Sequence, residues 1–238
     1  MSKPPTVTLV IPCFNEEENL SALWSQIEDL CISFSGISEV IFINDASTDS
    51  TSTLLSELSI LDSRIYIINN NTNCGCHMSV KKGFDVGKGE WLIFLPSDLQ
   101  ILPSVVNDLI PYFASSDFIA TWRIDRKDPR HRRYISRFYN LFIRLITGVY
   151  INDFDSSIAI RNSLYRGISC HLRTTTASLA VEIAAYSVKN GARIAEVPIA
   201  HYPRVAGTAR GLNWRDTLAA PIHLLNLWFR LRLTRERP

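Results

Sequence analysis

The 238-residue chain is 46% hydrophobic and 20% charged, which excludes intrinsic disorder, and its 10 Gly and 11 Pro exclude a fibrous or linker-rich protein. That length suits one α/β-sized domain. The net charge of +2 conceals a split: residues 1–122 carry 5 Lys/Arg against 15 Asp/Glu, and residues 123–238 carry 20 against 8. Eighteen of those 20 are Arg, an excess that suits planar recognition of phosphate or carboxylate. The five cysteines (Cys13, Cys31, Cys74, Cys76, Cys170) are scattered. Cys74-Gly75-Cys76 is one residue short of a zinc knuckle and lacks a second pair, so reduced, cytosolic thiols are expected. The first residues, Met-Ser-Lys-Pro-Pro-Thr, have no apolar signal-peptide core. No stretch reaches the roughly 18 apolar residues of a membrane span, so the chain is expected at most to lie on a membrane.

In chain order, Val7–Ile11 reads as a strand and Asn15 to about Phe34 as a helix whose first turn holds Glu16, Glu17 and Glu18, where the dipole favours negative charge. Val40–Ile43 is the next strand, and Ser47-Thr48-Asp49 supplies cap chemistry for a helix to about Leu58. Ile65–Ile68, the polar loop Asn69–Gly75, a helix from His77 to Val86 and the strand Trp91–Leu95 follow. Strand and helix alternating at this spacing mean βαβ units and a mostly parallel sheet, with ligands at the strands' carboxyl ends. Those ends carry Asn15/Glu16, Asn44/Asp45 and Ser97/Asp98.

After Trp122 the pattern changes. Residues 123–137 hold seven basic residues, offset by Asp125 and Asp128. A helical stretch Ile135–Ile146, the loop Asp153–Ser157, a strand Ile158–Ile160, a helix Ala177–Lys189 ending at Gly191, and a strand Arg193–Val197 come next. Arg204–Gly211 is a basic loop. Trp214–Leu233 has a broad apolar face, a narrow polar stripe and a terminal Arg cluster, with Pro221 expected to kink or restart it. This is the form of an interfacial helix, a core-packing or oligomer role being the alternative. The expected division is a catalytic domain over 1–211 and an amphipathic segment over 212–238.

Three blocks carry a resemblance. Ile11-Pro12-Cys13-Phe14-Asn15-Glu16, Ile43-Asn44-Asp45-Ala46-Ser47-Thr48-Asp49 and the run from Asn73 to Leu95-Pro96-Ser97-Asp98-Leu99-Gln100 resemble, in order and spacing, the inverting nucleotide-sugar glycosyltransferases of family 2. Asp98-Leu99-Gln100, with Arg133, Ser136, Asn140, Asp153 to Arg161, Arg204 and Gly207-Thr208, resembles the polyprenyl-phosphate (dolichol-phosphate-mannose-synthase-like) branch. The resemblance implies a GT-A fold and transfer of a hexose from a GDP- or UDP-linked donor to a dolichyl or undecaprenyl phosphate in cell-envelope synthesis. The expected place is the cytoplasmic face of a membrane with anionic lipid. A homo-oligomer or a membrane-protein partner stays open.

It also implies that Asp45 contacts the nucleotide, with Pro12, Phe14 and Glu16 lining that pocket; capping of the next helix is the alternative for Asp45. Asp98 and Gln100 offer oxygen ligands of the kind Mg²⁺ or Mn²⁺ prefers, the alternative for Asp98 being an N-cap before the Pro103 helix. Arg123 and Arg133 are the candidate catalytic phosphate contacts beside Asp98, since Arg forks match phosphate oxygens, and Arg204 is placed to close over the donor. Pro96 stands where the family usually has the first Asp of Asp-x-Asp. A phosphate acceptor, largely a dianion at neutral pH, needs no general base and tolerates that loss. A sugar-hydroxyl acceptor would need Asp153, Asp155 or Glu182 as base, and a non-catalytic partner protein is the third reading. Nucleic acid is a poor fit because the basic stretch lacks interleaved aromatics before Tyr134. A dehydrogenase fits poorly too, as no Gly-x-Gly-x-x-Gly opens a helix after the first strand.

Overall fold

The computed structural model describes residues 3–124, 140–145, 147–173, 178–204 and 214–233, with side chains over 222–232 in the last segment. Seven strands form one sheet: β1 Val7–Cys13, β2 Ile37–Asn44, β3 Ile65–Asn69, β4 Trp91–Phe94, β5 Phe118–Arg123, β6 Ile158–Arg161 and β7 Ile194–Ile199. Their order is β3-β2-β1-β4-β6-β5-β7. All neighbours are parallel except β6, which runs antiparallel to both β4 and β5. The helices are α1 Glu17–Ser33, α2 Thr51–Leu61, α3 Cys76–Val86, α4 Val105–Leu109, α5 Asn162–Ile168, α6 Leu179–Lys189 and α7 Trp214–Leu233.

Every residue of β1 is buried, as a central parallel strand covered on both faces must be. Its side chains alternate. Leu9 and Ile11 join Leu23 and Ile27 of α1 and Leu55 of α2 on one face, and Val10 joins Val80 and Phe84 of α3 on the other. The second face continues through Phe118, Ile158 and Ile183 to Leu224 and Leu227 of α7. Gly83 lets α3 approach β1, because a Cβ there would stand 2.3 Å from Cγ1 of Val10.

The elements expected up to β4 form, with ends shifted by a few residues; α2 starts at Thr51 rather than Ser47. β5 and α5 are additions that the sequence did not announce. β5 is short and earns its place by pairing with β6 and β7, and α5 contains Gly167 and offers only Tyr165 and Ile168 as buried anchors. Of the helix expected at 135–146, residues 140–145 are helical and 135–139 lie outside the described residues. Gly191 adopts the left-handed φ of 70° expected of a residue that ends a helix. α7 is helical through Pro221.

The reversal of β6 positions the site. Ile93 faces Ala159 and Ala120 faces Ile158, so the loop before β6 arrives at the carboxyl ends of β4 and β5. β7 pairs Ile199 with Arg123, bringing residues 200–204 to that same edge.

Candidate active site

Among the described residues three non-glycine residues have positive φ, and each follows the carboxyl end of a parallel strand: Asn15 (53°) after β1, Ala46 (60°) after β2 and Leu99 (58°) after β4. Asn tolerates this region locally, whereas Ala and Leu do so at a cost of about 1–3 kcal/mol each. Strain concentrated at one end of a sheet marks that end as functional.

The first two turns lock onto each other. The Asn15 side chain accepts from the Thr48 amide (2.7 Å) and donates to Thr48 Oγ1 (3.0 Å), while its own amide donates to Ser47 Oγ (3.0 Å). The Glu16 amide donates to Thr51 Oγ1 (2.8 Å), and the Glu17 carboxylate accepts from the Ser50 amide (2.8 Å). Pro12 is buried behind these turns and Phe14 is half-buried.

Asp45, expected to offer an oxygen to ribose or base, meets a different geometry. It is 2% exposed. Oδ1 accepts from Asn70 Nδ2 (2.7 Å) and the Cys74 amide (2.8 Å), and Oδ2 from the Gly75 amide (2.8 Å). Asp45 therefore pins the 70–75 loop, whose Gly75 needs its φ of 85° to start α3. Nor does Asp45 cap α2: Ser50 is the N-cap residue, and Asp49 accepts from the Thr51 amide at 3.0 Å. The Asn70 amide, bonded also to Ser79 and to Lys82 Nζ (2.6 Å), is a member of this network that motif reasoning missed.

Beyond the β4 end a cleft of about 340 Å³ opens. Its lining combines the polar Asp98, Gln100, Arg123, Asp155, His201 and Arg204 with the apolar Val80, Phe94, Phe154 and Ile183. Asp98 accepts the Gln100 amide on Oδ1 (3.1 Å) and Arg204 Nη2 on Oδ2 (2.6 Å). It does not cap the helix after Pro103, because α4 begins at Val105 with Ser104 as its N-cap residue. The Tyr202 amide donates to the Gln100 carbonyl (3.0 Å), fastening the segment after β7 that carries Arg204 to the Asp98 turn. Burial raises the Glu16 carboxyl above its ordinary pKa; the Asn19 amide (2.6 Å) opposes the rise and the charge of Asp98 adds to it.

Arg123 reaches the cleft as half of a buried pair. Nε and Nη2 bind the Asp153 carboxylate at 2.7 and 3.1 Å, and Asp155 stands 3.6 Å away. Asn140 ties the helical residues 140–145 to the same loop through the Asn152 carbonyl (2.8 Å). Glu182 is placed elsewhere. It is fully buried in α6, pairs with Arg230 of α7 and accepts the Arg173 amide (3.0 Å), so it docks the terminal helix. Arg133, Ser136, Gly207 and Thr208 lie outside the described residues. Sequence reasoning did not single out His77 and His201, which line the cleft. Cys76 lines it too.

Among the described residues no group of three His, Cys, Asp or Glu is arranged to hold a metal unaided. One carboxylate and one amide oxygen, Asp98 and Gln100, do fit an octahedral divalent cation held chiefly by substrate phosphates and water. On α7, Leu224 and Leu227 are buried while Ile222, Leu225 and Phe229 are exposed, and Arg232 lies 4.0 Å over the Trp228 ring. No helix among the described residues is long and apolar enough to cross a membrane.

A family model described as Glycosyl transferase family 2 matches residues 8–171. The chain is 31% identical over 229 residues to an undecaprenyl-phosphate 4-deoxy-4-formamido-L-arabinose transferase of Pseudomonas fluorescens, a match covering 94% of this chain and 63% of that relative. An Aeromonas hydrophila protein of the same name is 30% identical over 229 residues, covering 94% and 66%. The chain thus spans just under two thirds of the length of these curated relatives. Among solved structures, glucosyl-3-phosphoglycerate synthase from Mycobacterium tuberculosis in complex with phosphoglyceric acid superposes with a TM-score of 0.67 at 15% identity, covering 98% of this chain and 81% of that one. S. aureus TarS 1-349 gives 0.64 at 17% identity, covering 98% and 67%. At these identities they establish the fold, the GT-A arrangement of a mostly parallel sheet flanked by helices.

Proposed function

The chain belongs to glycosyltransferase family 2, and from that membership we propose that it moves a sugar from a nucleotide diphosphate donor to undecaprenyl phosphate or a related polyprenyl phosphate. The observation that carries the reading is the cleft itself. Asp98, Gln100, Arg123 and Arg204 line it together with the apolar Val80, Phe94, Phe154 and Ile183. Charge and grease side by side suit a lipid phosphate better than a polyhydroxylated acceptor.

In the proposed reaction an acceptor phosphate oxygen attacks the anomeric carbon, the bond from that carbon to the donor's terminal phosphate oxygen breaks, and the nucleoside diphosphate leaves with inversion. No proton need be removed, because the acceptor is mostly a dianion near neutral pH. Asp98 and Gln100 would hold Mg²⁺ or Mn²⁺, which supplies charge neutralisation for the diphosphate. Arg204 would approach the diphosphate from the segment after β7, and Arg123, oriented by Asp153, would present its guanidinium to the acceptor. Pro12, Phe14 and Glu16, with the loop that Asp45 pins, form the donor side. The M. tuberculosis synthase has been solved with Mn²⁺ and UDP, which supports a uridine donor and a divalent cation here. The exposed Ile222, Leu225 and Phe229, flanked by Arg230 and Arg232, would rest on an anionic cytoplasmic membrane face.

A sugar-hydroxyl acceptor is less well served, since Asp153 is paired with Arg123 and Glu182 with Arg230, which leaves Asp155, exposed in the cleft 3.6 Å from Arg123, to act as its base. The test is direct. Protein incubated with Mn²⁺, a panel of UDP- and GDP-sugars and a short polyprenyl phosphate should yield a lipid-extractable sugar phosphodiester. If no donor yields one, the reading fails.

A further inference from the structure

We propose that Arg204 is a resident occupant of the cation site. In the nucleotide-free protein its guanidinium takes the Asp98 oxygen that a divalent cation needs, and cation and donor enter together because the donor's phosphates draw Arg204 away. The proposal rests on the reading of Asp98 as a cation ligand.

Three observations carry it. First, the two Asp98 oxygens are not equivalent. Oδ1 accepts the Gln100 amide (3.1 Å) within its own turn, around Leu99 with its φ of 58°, so that oxygen is already engaged by the turn's backbone. Oδ2 is the oxygen that can change partner, and Arg204 Nη2 sits on it at 2.6 Å. Second, Arg204 can let go without dismantling the site. The Tyr202 amide holds the segment after β7 to the Gln100 carbonyl two residues earlier, so the long side chain can swing while the nearby backbone stays fastened. Third, with Pro96 at the cleft where a further carboxylate would stand, Asp98 is the acidic ligand that the turn provides. A cation offered this site alone must displace a bonded guanidinium. Offered with a diphosphate, it gains phosphate ligands while Arg204 gains a new anion. Linkage is reciprocal, so whatever the donor gains from the cation the cation gains from the donor.

The experiment measures Mn²⁺ binding to the full chain without nucleotide, by the electron paramagnetic resonance signal of free Mn²⁺, for wild type, Arg204→Gln, Asp98→Asn and the double variant. Arg204→Gln is expected to bind Mn²⁺ at least fivefold tighter than wild type. That gain should vanish in the double variant, and saturating UDP or GDP should tighten Mn²⁺ binding more in wild type than in Arg204→Gln. Arg204→Lys, which keeps the charge but not the fork, should fall between them and guards against an ill-folded glutamine variant. Equal or weaker Mn²⁺ affinity in both Arg204 variants overturns the proposal. So does a gain that persists without Asp98, because a diffuse field rather than the contact would then explain it. Sugar transfer plays no part in the readout: a protein that never glycosylates lipid but shows this pattern refutes the transferase reading and keeps the exchange at Asp98.

Discussion

The two sides of the site are built from different interactions. On the donor side, Asn15, Glu16 and Glu17 bond to Ser47, Thr48, Ser50 and Thr51, and Asp45 bonds to Asn70, Cys74 and Gly75. Most of these involve backbone amides, with fixed geometry and no competing counter-ion. On the side proposed for the phosphates, where Arg123 would meet the acceptor and Arg204 the diphosphate, the same positioning is done by charge pairs between side chains distant in sequence: Arg123 with Asp153, Arg204 with Asp98, and Glu182 with Arg230 farther out. Amide networks preorganise a pocket before its ligand arrives. Ion pairs can exchange partners with an incoming phosphate, which suits a surface that must admit, orient and release a charged lipid.

Four substitutions press on this contrast, from the largest expected effect to the smallest. Asp98→Asn, where the two sides meet, should lower sugar transfer about a hundred- to a thousandfold with the fold intact, scored by label entering the lipid phase and by an unchanged thermal melt. Asp153→Ala leaves a buried Arg123 without its main carboxylate and should cost about 3 kcal/mol in a denaturant titration, with a raised KM for the lipid phosphate and little change for the donor. Asp45→Ala should do the reverse. Losing three accepted hydrogen bonds should cost about 2 kcal/mol and weaken nucleotide binding, seen by calorimetry, while the acceptor KM holds. If both substitutions moved the same KM, the division into two sides would be wrong. Glu182→Gln should cost about 1–2 kcal/mol, discounted because Arg230 is partly exposed, and should leave the turnover of the folded enzyme within twofold. A catalytic Glu182 would lose far more.

The smallest effect is a pH signature. Burial raises the Glu16 pKa in the folded protein, so its ionised form opposes folding at pH values above that raised pKa. As pH falls through it the penalty disappears, and below the unfolded reference of 4.5 both states are protonated. Glu16→Gln should therefore raise the Tm at pH 7 and lose that advantage near pH 4, in paired melts across the range.

Much of the donor half was legible in the sequence, because buried parallel strands and amphipathic helices write strong periods and their turns carry recognisable residues. The motif blocks also pointed to the carboxyl end of the sheet, where Asp45 and Asn15 bond to neighbouring loops. The acceptor half was less legible for a physical reason. β5 and α5 depend on pairing with partners that are far away in the chain, and the antiparallel sense of β6 leaves no local trace. The Arg residues were legible as a surplus, but Arg204 meeting Asp98 across 106 residues was not. His77 and His201 carried no pattern at all, being brought to the cleft by the fold alone.

The reversed strand β6 has one more consequence, for how such a protein can change over generations. β5 ends at Arg123 and β6 begins at Ile158, and because the two run in opposite senses side by side, the chain leaves the sheet and returns to it at adjacent points. The cost of closing a loop grows only slowly with its length, so the stretch between those points can be lengthened, trimmed or replaced with little strain on the strands that anchor it. On the proposed reading, grafting residues 124–157 between relatives, with the core anchors Ile143, Val149, Ile151 and Phe154 kept, is the engineering route to a changed acceptor that this layout favours.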